Sequence, residues 1–375
     1  MPESPEPGPI DVALTMDQNL YTRMWEAVRH LCVGLVDQNV RVRLLSSWAG
    51  AEELTLGPIQ TVVHQELTWP FRRQRLRPLI DALAVRKPTV IHALCADTYW
   101  SGAQLAAAFD IDLVLYVTGM KDLIGLEQLE AHRVSHVVAA SAPLLDAVRQ
   151  TERIDADAQS LIRPGMLRSD GATCFLNAGQ MVSMLCTSDL TDSSGVDQLL
   201  RAVRILRDRD RDLLLFLSGS GPKERQLRRL VRELGISSCV TFARPRADAS
   251  QVMAGADISV QPAPETALSA ASLLAMATGT AVVCCAGGMI DHCLDGQTAV
   301  VCADNQPAAL ADGIERLLAD PEGARSMALA GIEHIKKYHG VSAMAQQLTQ
   351  LYERLGLRRR TFSLQEQNGG PSMQT

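Results

Sequence analysis

The sequence predicts an α/β protein made of two doubly wound domains. Three observations carry this. Apolar runs of strand length alternate with amphipathic stretches of helix length, first from Ile10 to Thr151 and again from Met181 to Ala319. Such alternation produces parallel sheets covered by helices on both faces. A Pro164-Gly165 turn and a Ser169-Asp170-Gly171 segment separate the two series. The chain of 375 residues is also longer than one compact core usually organises. Ligands of open α/β sheets sit beyond the carboxyl ends of the strands, so two domains facing a central cleft would hold a ligand between them.

The first domain spans residues 10–165. Residues 1–9 are proline-rich and acidic, and the sequence predicts no order there. They also lack the basic and apolar regions of a signal peptide. Ile10–Leu14 reads as a short buried strand. Arg23–Gln38 reads as a helix, because Trp25, Val28, Leu31, Cys32 and Leu35 fall on one stripe. Val40–Leu45 alternates Val with Arg, the pattern of a half-exposed edge strand. Leu76–Ala84 is a helix, broken at Lys87-Pro88 before the strand Val90–Ala93. Helix Gly102–Phe109, strands Asp112–Val117 and His136–Ala140, and helix Leu144–Thr151 follow.

The second domain spans 166–340. Its expected strands are Met181–Cys186, Leu213–Leu217, Val240–Phe242, Ile258–Val260, Ala281–Cys285 and Ala299–Cys302. Its expected helices are Val196–Asp208, Glu224–Leu234, Ser269–Ala277 and Pro307–Ala319. A last helix, Val341–Leu355, is expected to cross back to the first domain within 341–357 and to stop at Gly356. The polar tail 358–375 is expected to be disordered.

Composition narrows the function classes. A net charge of -6 argues against a general nucleic-acid binder. The basic runs Arg72-Arg73-Gln74-Arg75 and Arg358-Arg359-Arg360 read as solvated faces. Nine Cys show neither CxxC pairs nor metal spacing, and most lie in apolar runs, as in a reduced cytoplasmic protein. Thr266–Ile290 has no charged residue, but Thr278-Gly279-Thr280 interrupts it. A buried helix, turn and strand explain it better than a membrane span.

The most informative stretch is Leu215–Gly296. It holds the turn Ser218-Gly219-Ser220-Gly221-Pro222, then Glu265 behind Gln261-Pro262-Ala263-Pro264. The apolar run Leu273–Val283, the loop Gly287-Gly288-Met289-Ile290-Asp291 and Asp295-Gly296 complete it. This order, extending to Asp320-Pro321 and Tyr338, resembles the donor-binding half of the GT-B glycosyltransferases of the retaining family 4 type. The resemblance implies a GT-B fold of two Rossmann-like domains. It also implies transfer of a sugar from a nucleotide-diphospho-sugar to an unidentified acceptor, with no metal and no further cofactor.

The resemblance also assigns roles. Glu265 would lie near the donor sugar, as the catalytic candidate. Gly219, Gly221, Gly287, Gly288 and Asp291 would surround the donor phosphates, where glycine lets backbone N–H groups approach an anion. His92, at a strand end, is a possible acceptor-side residue, although a lone His there is also commonly structural. Three positions depart from the family. Leu274 stands where a second Glu binds ribose, nine positions after Glu265 rather than eight. Asp189 and Ser194 stand where Arg and Lys neutralise the leaving diphosphate. These departures raise a second reading, a catalytically impaired pseudo-glycosyltransferase acting as a binding or scaffold protein. A third is a sugar-nucleotide epimerase on the same fold. The expected partners are a nucleotide-sugar and an acceptor, with no nucleic acid and no membrane span. Peripheral membrane contact stays open.

Overall fold

The computed structural model describes residues 9–368 apart from 49, 52–56, 68–69, 177–178 and 244–248. The expectation of disorder for residues 1–9 falls outside them except at Pro9. The chain forms two compact units. One contains residues up to Gly165 together with those from Val341 onward; the other is Met166–Gly340.

In the first unit, strands β1 (Asp11–Met16), β2 (Arg41–Ser46), β3 (Gln60–Val63), β4 (Val90–Ala93), β5 (Asp112–Val117), β6 (His136–Ala139) and β7 (Gln159–Leu161) form one sheet. Its order is β3-β2-β1-β4-β5-β6-β7, and every pairing is parallel. Helices α1 (Gln18–Asp37), α2 (Arg72–Ala84), α3 (Ala96–Phe109), α4 (Met120–Glu127) and α5 (Ala142–Gln150) connect the strands. Asp17 starts α1 because its Oδ1 accepts the Leu20 N–H at 2.8 Å.

The expected edge strand at Val40–Leu45 is corrected: β2 lies inside the sheet, between β1 and β3. Its alternating arginines are not both solvent-facing. Arg43 is 6% exposed and donates to Asp11 Oδ1 through Nε at 3.0 Å and a terminal nitrogen at 2.6 Å. Arg86 Nε lies 3.2 Å from the other oxygen of Asp11. A buried ion pair thus supplies the polarity that the alternation assigned to water.

In the second unit, β8 (Val182–Thr187), β9 (Leu213–Ser218), β10 (Val240–Ala243), β11 (Ile258–Gln261), β12 (Ala281–Cys285) and β13 (Val300–Cys302) form a parallel sheet of order β10-β9-β8-β11-β12-β13. Helices α6 (Val196–Asp208), α7 (Glu224–Glu233), α8 (Ala249–Ala254), α9 (Ala270–Thr278), α10 (Pro307–Ala319) and α11 (Pro321–Tyr338) cover it. Leu199, Val203, Leu206, Leu215, Val260, Val283 and Ile314 are buried in one core. Every residue of α9 is buried, so this charge-free helix lies within a folded domain.

Helix α12 (Val341–Asn368) belongs to the first unit. It packs on α1 so closely that a Cβ at Gly34 would meet Val341 Cγ1 at 2.9 Å and the Ala345 Cβ at 3.0 Å. The helix does not stop at Gly356, and residues 358–368 are helical rather than disordered. A single internal glycine costs only about 1 kcal/mol against alanine. Beyond it, Arg358 and Arg359 pair with the exposed Asp157 and Asp110 of the same unit. Among the described residues no helix is long and apolar enough to cross a membrane.

Candidate functional site

The strand order of the second unit reverses direction between β8 and β11. Ligands of doubly wound sheets collect at that switch point, beyond the carboxyl ends of the strands. Four loops leave that edge of the sheet: Ser188–Gly195 after β8, Gly219–Lys223 after β9, Pro262–Ser269 after β11 and Ala286–Ala299 after β12.

Backbone contact between these loops explains most of their glycines. A Cβ at Gly219 would collide with the Ser188 carbonyl, and one at Gly221 with the Leu190 carbonyl. Hydrogen bonds hold the two loops together. Leu190 N donates to Ser220 O and Lys223 N to Leu190 O, both at 3.0 Å. Gly195 has φ +70 and leaves no room for a side chain beside the Pro262 carbonyl. Gly288 lies against Glu265: a Cβ there would sit 2.8 Å from Glu265 N and 2.9 Å from its carbonyl oxygen. Next to it, Met289 N donates to Glu265 O at 2.7 Å. Gly287 differs, with φ +87 and open space where a side chain would stand. The fold therefore brings Gly288 and Glu265 together, and Gly219 and Gly221 to the neighbouring loop. Asp291 is half-buried in the β12 loop.

Glu265 is 9% exposed. Its Oε2 accepts from Ser269 N at 3.2 Å and from Ser269 Oγ at 3.1 Å. Ser269 is the N-cap residue of α9 and makes no side-chain cap of its own. The carboxylate therefore satisfies the start of that helix, where a negative charge is favoured. Behind it, Ser272 Oγ lies 2.8 Å from Nε2 of the fully buried His292. Leu274 is 4% exposed inside α9 and offers no hydrogen-bonding atom from its side chain. The Cys284 thiol, then burial and the Glu265 charge, push Cys293 well above the usual thiol range, so it stays neutral.

Asp189 is exposed, and Ser194 Oγ donates to the Thr191 carbonyl at 2.9 Å. Two residues escaped the sequence reading. His292 carries only the signal of a polar residue beside the Gly287-Gly288 loop. Lys223, directly after Gly-Ser-Gly-Pro, holds Nζ 2.5 Å from Asp192 Oδ1 and 3.0 Å from Gln226 Oε1. Among the described residues no three or more His, Cys, Asp or Glu are grouped to hold a metal ion.

In the first unit, His92 is 1% exposed, with Nδ1 2.6 Å from the Tyr352 hydroxyl of α12. Burial, then the neighbouring His136, lowers its pKa to about 3, so the ring is neutral. It lines a cavity of about 20 Å³ with Leu20, Met24, Tyr116, Thr118 and Met344. His92 is thus enclosed by apolar side chains. Elsewhere in this unit Lys121 Nζ of α4 is 2.5 Å from Asp97 of α3, and Arg23 of α1 donates to Thr118 Oγ1 at 3.0 Å.

Comparison with known proteins bears on the fold and on the second unit's sequence. Residues 182–320 match the family model described as Glycosyl transferases group 1. The fold is GT-B, and the second unit carries the group 1 segment. A D-inositol 3-phosphate glycosyltransferase of Corynebacterium diphtheriae is 31% identical over 172 residues, 44% of this chain and 40% of that protein. A GDP-mannose-dependent phosphatidylinositol monomannoside mannosyltransferase of Mycolicibacterium smegmatis is 32% identical over 163 residues, 41% of this chain and 43% of that protein. The aligned segments thus span only about two-fifths of these relatives' lengths. Among solved structures, Anabaena HepE in complex with UDP-glucose superposes with a TM-score of 0.76 at 16% identity, covering 92% of this chain and 100% of that one. A sucrose-phosphate synthase of Thermosynechococcus elongatus gives 0.73 at 21% identity, covering 92% and 99%.

Proposed function

We propose that this protein is a retaining glycosyltransferase that moves a sugar from a nucleotide-diphospho-sugar to an acceptor hydroxyl. One observation carries the reading: the glycine-shaped loops after β8, β9, β11 and β12 meet at the switch point inside the segment that matches group 1 glycosyltransferases. The named ligand of HepE, UDP-glucose, supports the donor class.

In the proposed reaction the bond between the sugar's anomeric carbon and the diphosphate oxygen breaks. The acceptor oxygen bonds to that carbon and gives its proton to the departing diphosphate oxygen, and the nucleoside diphosphate leaves. Negative charge grows on the leaving phosphate, where fixed dipoles are most effective. Backbone N–H groups at Gly287 and Gly288 take that role, with Gly219, Gly221 and Asp291 around the donor. Glu265 stands next to Gly288 through its backbone, and its carboxylate orients the sugar from the start of α9. The reaction requires no metal. His92 lies on the acceptor side only as a residue that shapes the first unit's interior.

A non-catalytic sugar-nucleotide binder is the second reading. Leu274, buried in an apolar helix, and Asp189, exposed where a cation would serve transfer, favour it. Calorimetric titration with UDP-glucose, GDP-mannose and ADP-glucose, followed by measurement of released nucleoside diphosphate and of the anomeric configuration of the released sugar, separates the two. Release from at least one donor, with the anomeric configuration kept, is the expected result. Binding without release points to the second reading, and absence of binding to every donor overturns both.

A further inference from the structure

We propose that Lys223 is the side chain that meets the donor's diphosphate. This inference rests on the donor-site reading above. A diphosphate is an anion, and the loops at the switch point carry Asp189, Asp192, Glu265 and Asp291. Bringing such a ligand there requires a counter-charge. Among the described residues of the loops that follow β8, β9, β11, β12 and β13, Lys223 is the one Lys or Arg. Arg244 and Arg246, in the loop after the edge strand β10, lie outside the described residues.

The fold fixes the backbone of Lys223 beside the β8 loop. Its N–H donates to the Leu190 carbonyl, and the Gly219-Ser220-Gly221 turn is pressed against the β8 loop. From the β9 loop its ammonium reaches Asp192, three residues before Gly195, whose backbone abuts the Pro262 carbonyl of the β11 loop. The charge therefore leans from β9 toward the point where the strand order reverses.

Local preference does not account for this lysine. Lys223 is the N-cap residue of α7 and makes no side-chain capping hydrogen bond. A cation at that end opposes the helix dipole, and Ser, Thr, Asp or Asn would serve the helix better. Residues that break a local rule collect at functional sites. Its contacts with Asp192 and with Gln226 are both exposed and do not hold it firmly. The Asp192 side chain is 84% exposed, and exposed pairs of this kind contribute little in water. A diphosphate, with more charge than one carboxylate, displaces Asp192 from the ammonium.

The test is calorimetric titration of the full chain with UDP, GDP and ADP and with uridine, guanosine and adenosine. The quantity read is the affinity of each diphosphate relative to its nucleoside. In Lys223→Met that advantage falls about 10- to 100-fold for the preferred base, the size of a lost charge-assisted contact, while nucleoside affinity stays. Lys223→Arg recovers most of it. If the wild type favours a diphosphate and Lys223→Met favours it equally, the inference is overturned and the donor reading stands. Loss of the advantage in Arg244→Ala/Arg246→Ala, with Lys223→Met unaffected, overturns it in the same way. If the wild type binds none of the three diphosphates, the donor reading itself falls and this inference falls with it.

Discussion

Glycines in the site do two different jobs, and substitution separates them. Gly219 and Gly288 face protein backbone, which cannot move aside as a flexible side chain can. Gly219→Ala and Gly288→Ala are each expected to lower stability by about 1–3 kcal/mol, the range of overpacking. Gly171, with open space around it and no left-handed backbone, is expected to accept alanine within about 0.5 kcal/mol. Urea denaturation of the three variants checks this, and equal stabilities would refute the close-approach account. The glycines were legible in the sequence because Gly-x-Gly after an apolar strand marks a tight turn. Their immediate partner was not: the sequence suggested an anion, and the structure shows the neighbouring loop's carbonyls. Lys223 was missed for a related reason, since its meaning depends on Asp192, 31 positions earlier and one strand away.

Helix α9 shows why lost polar positions cannot simply be put back. All nine of its residues are buried, and Leu274 packs within that core. Leu274→Glu would place an ionised carboxylate there with no partner prepared for it. The expected result is a loss of several kcal/mol of stability with no gain in UDP affinity, since an unpaired buried charge is among the costliest changes. Thermal denaturation and nucleotide titration of this variant check both halves, and a stable protein with tighter UDP binding would overturn the expectation.

At the same scale, β5, α6, β12 and α10 were readable to the residue, because apolar runs end at charged or turn residues there. The short strands β3 and β7 escaped. Each has few residues, and β3 is only partly buried, so the apolar signal is weak. Helix α11 was also missed, although it has a start signal. Asp320 accepts from Gly323 N at 2.9 Å, and Pro321 occupies the first turn. Gly356 misled in the other direction, because a glycine in a helical pattern can end a helix or be carried inside it at a cost of about 1 kcal/mol, and here α12 carries it.

At the scale of the whole first unit, buried histidines set the response to acid. Burial lowers His30 to about 4, with Arg29 adding to it, and His92 to about 3. Burial likewise lowers His136 to about 4, helped by Arg354. Each ordinary value is 6.5, so below that pH the unfolded chain takes up protons that the folded unit refuses. Stability contributed by these neutral rings is present above pH 6.5 and is lost as pH falls toward 4 and then 3, by about 1.4 kcal/mol per pH unit for each group. Hydrogen exchange at pH 7 and pH 5 is expected to show β4, β6 and α1 opening more readily at the lower pH. His92→Gln should flatten that response, and an unchanged exchange pattern between the two pH values would refute it.

The return of α12 to the first unit has a consequence for synthesis. Domains generally fold as they emerge, the N-terminal one first. Here the first domain's core is not closed by its own leading residues. Gly34 needs Val341 and Ala345, and His92 needs Tyr352, all of which leave the ribosome after the whole of Met166–Gly340. The uninterrupted second unit is therefore the first able to finish, while the nascent chain ahead of it waits with the α1 face uncovered. A chain built this way depends on its last helix for release in native form, and stalling or cleavage before residue 341 leaves the leading half, rather than the trailing one, exposed to aggregation.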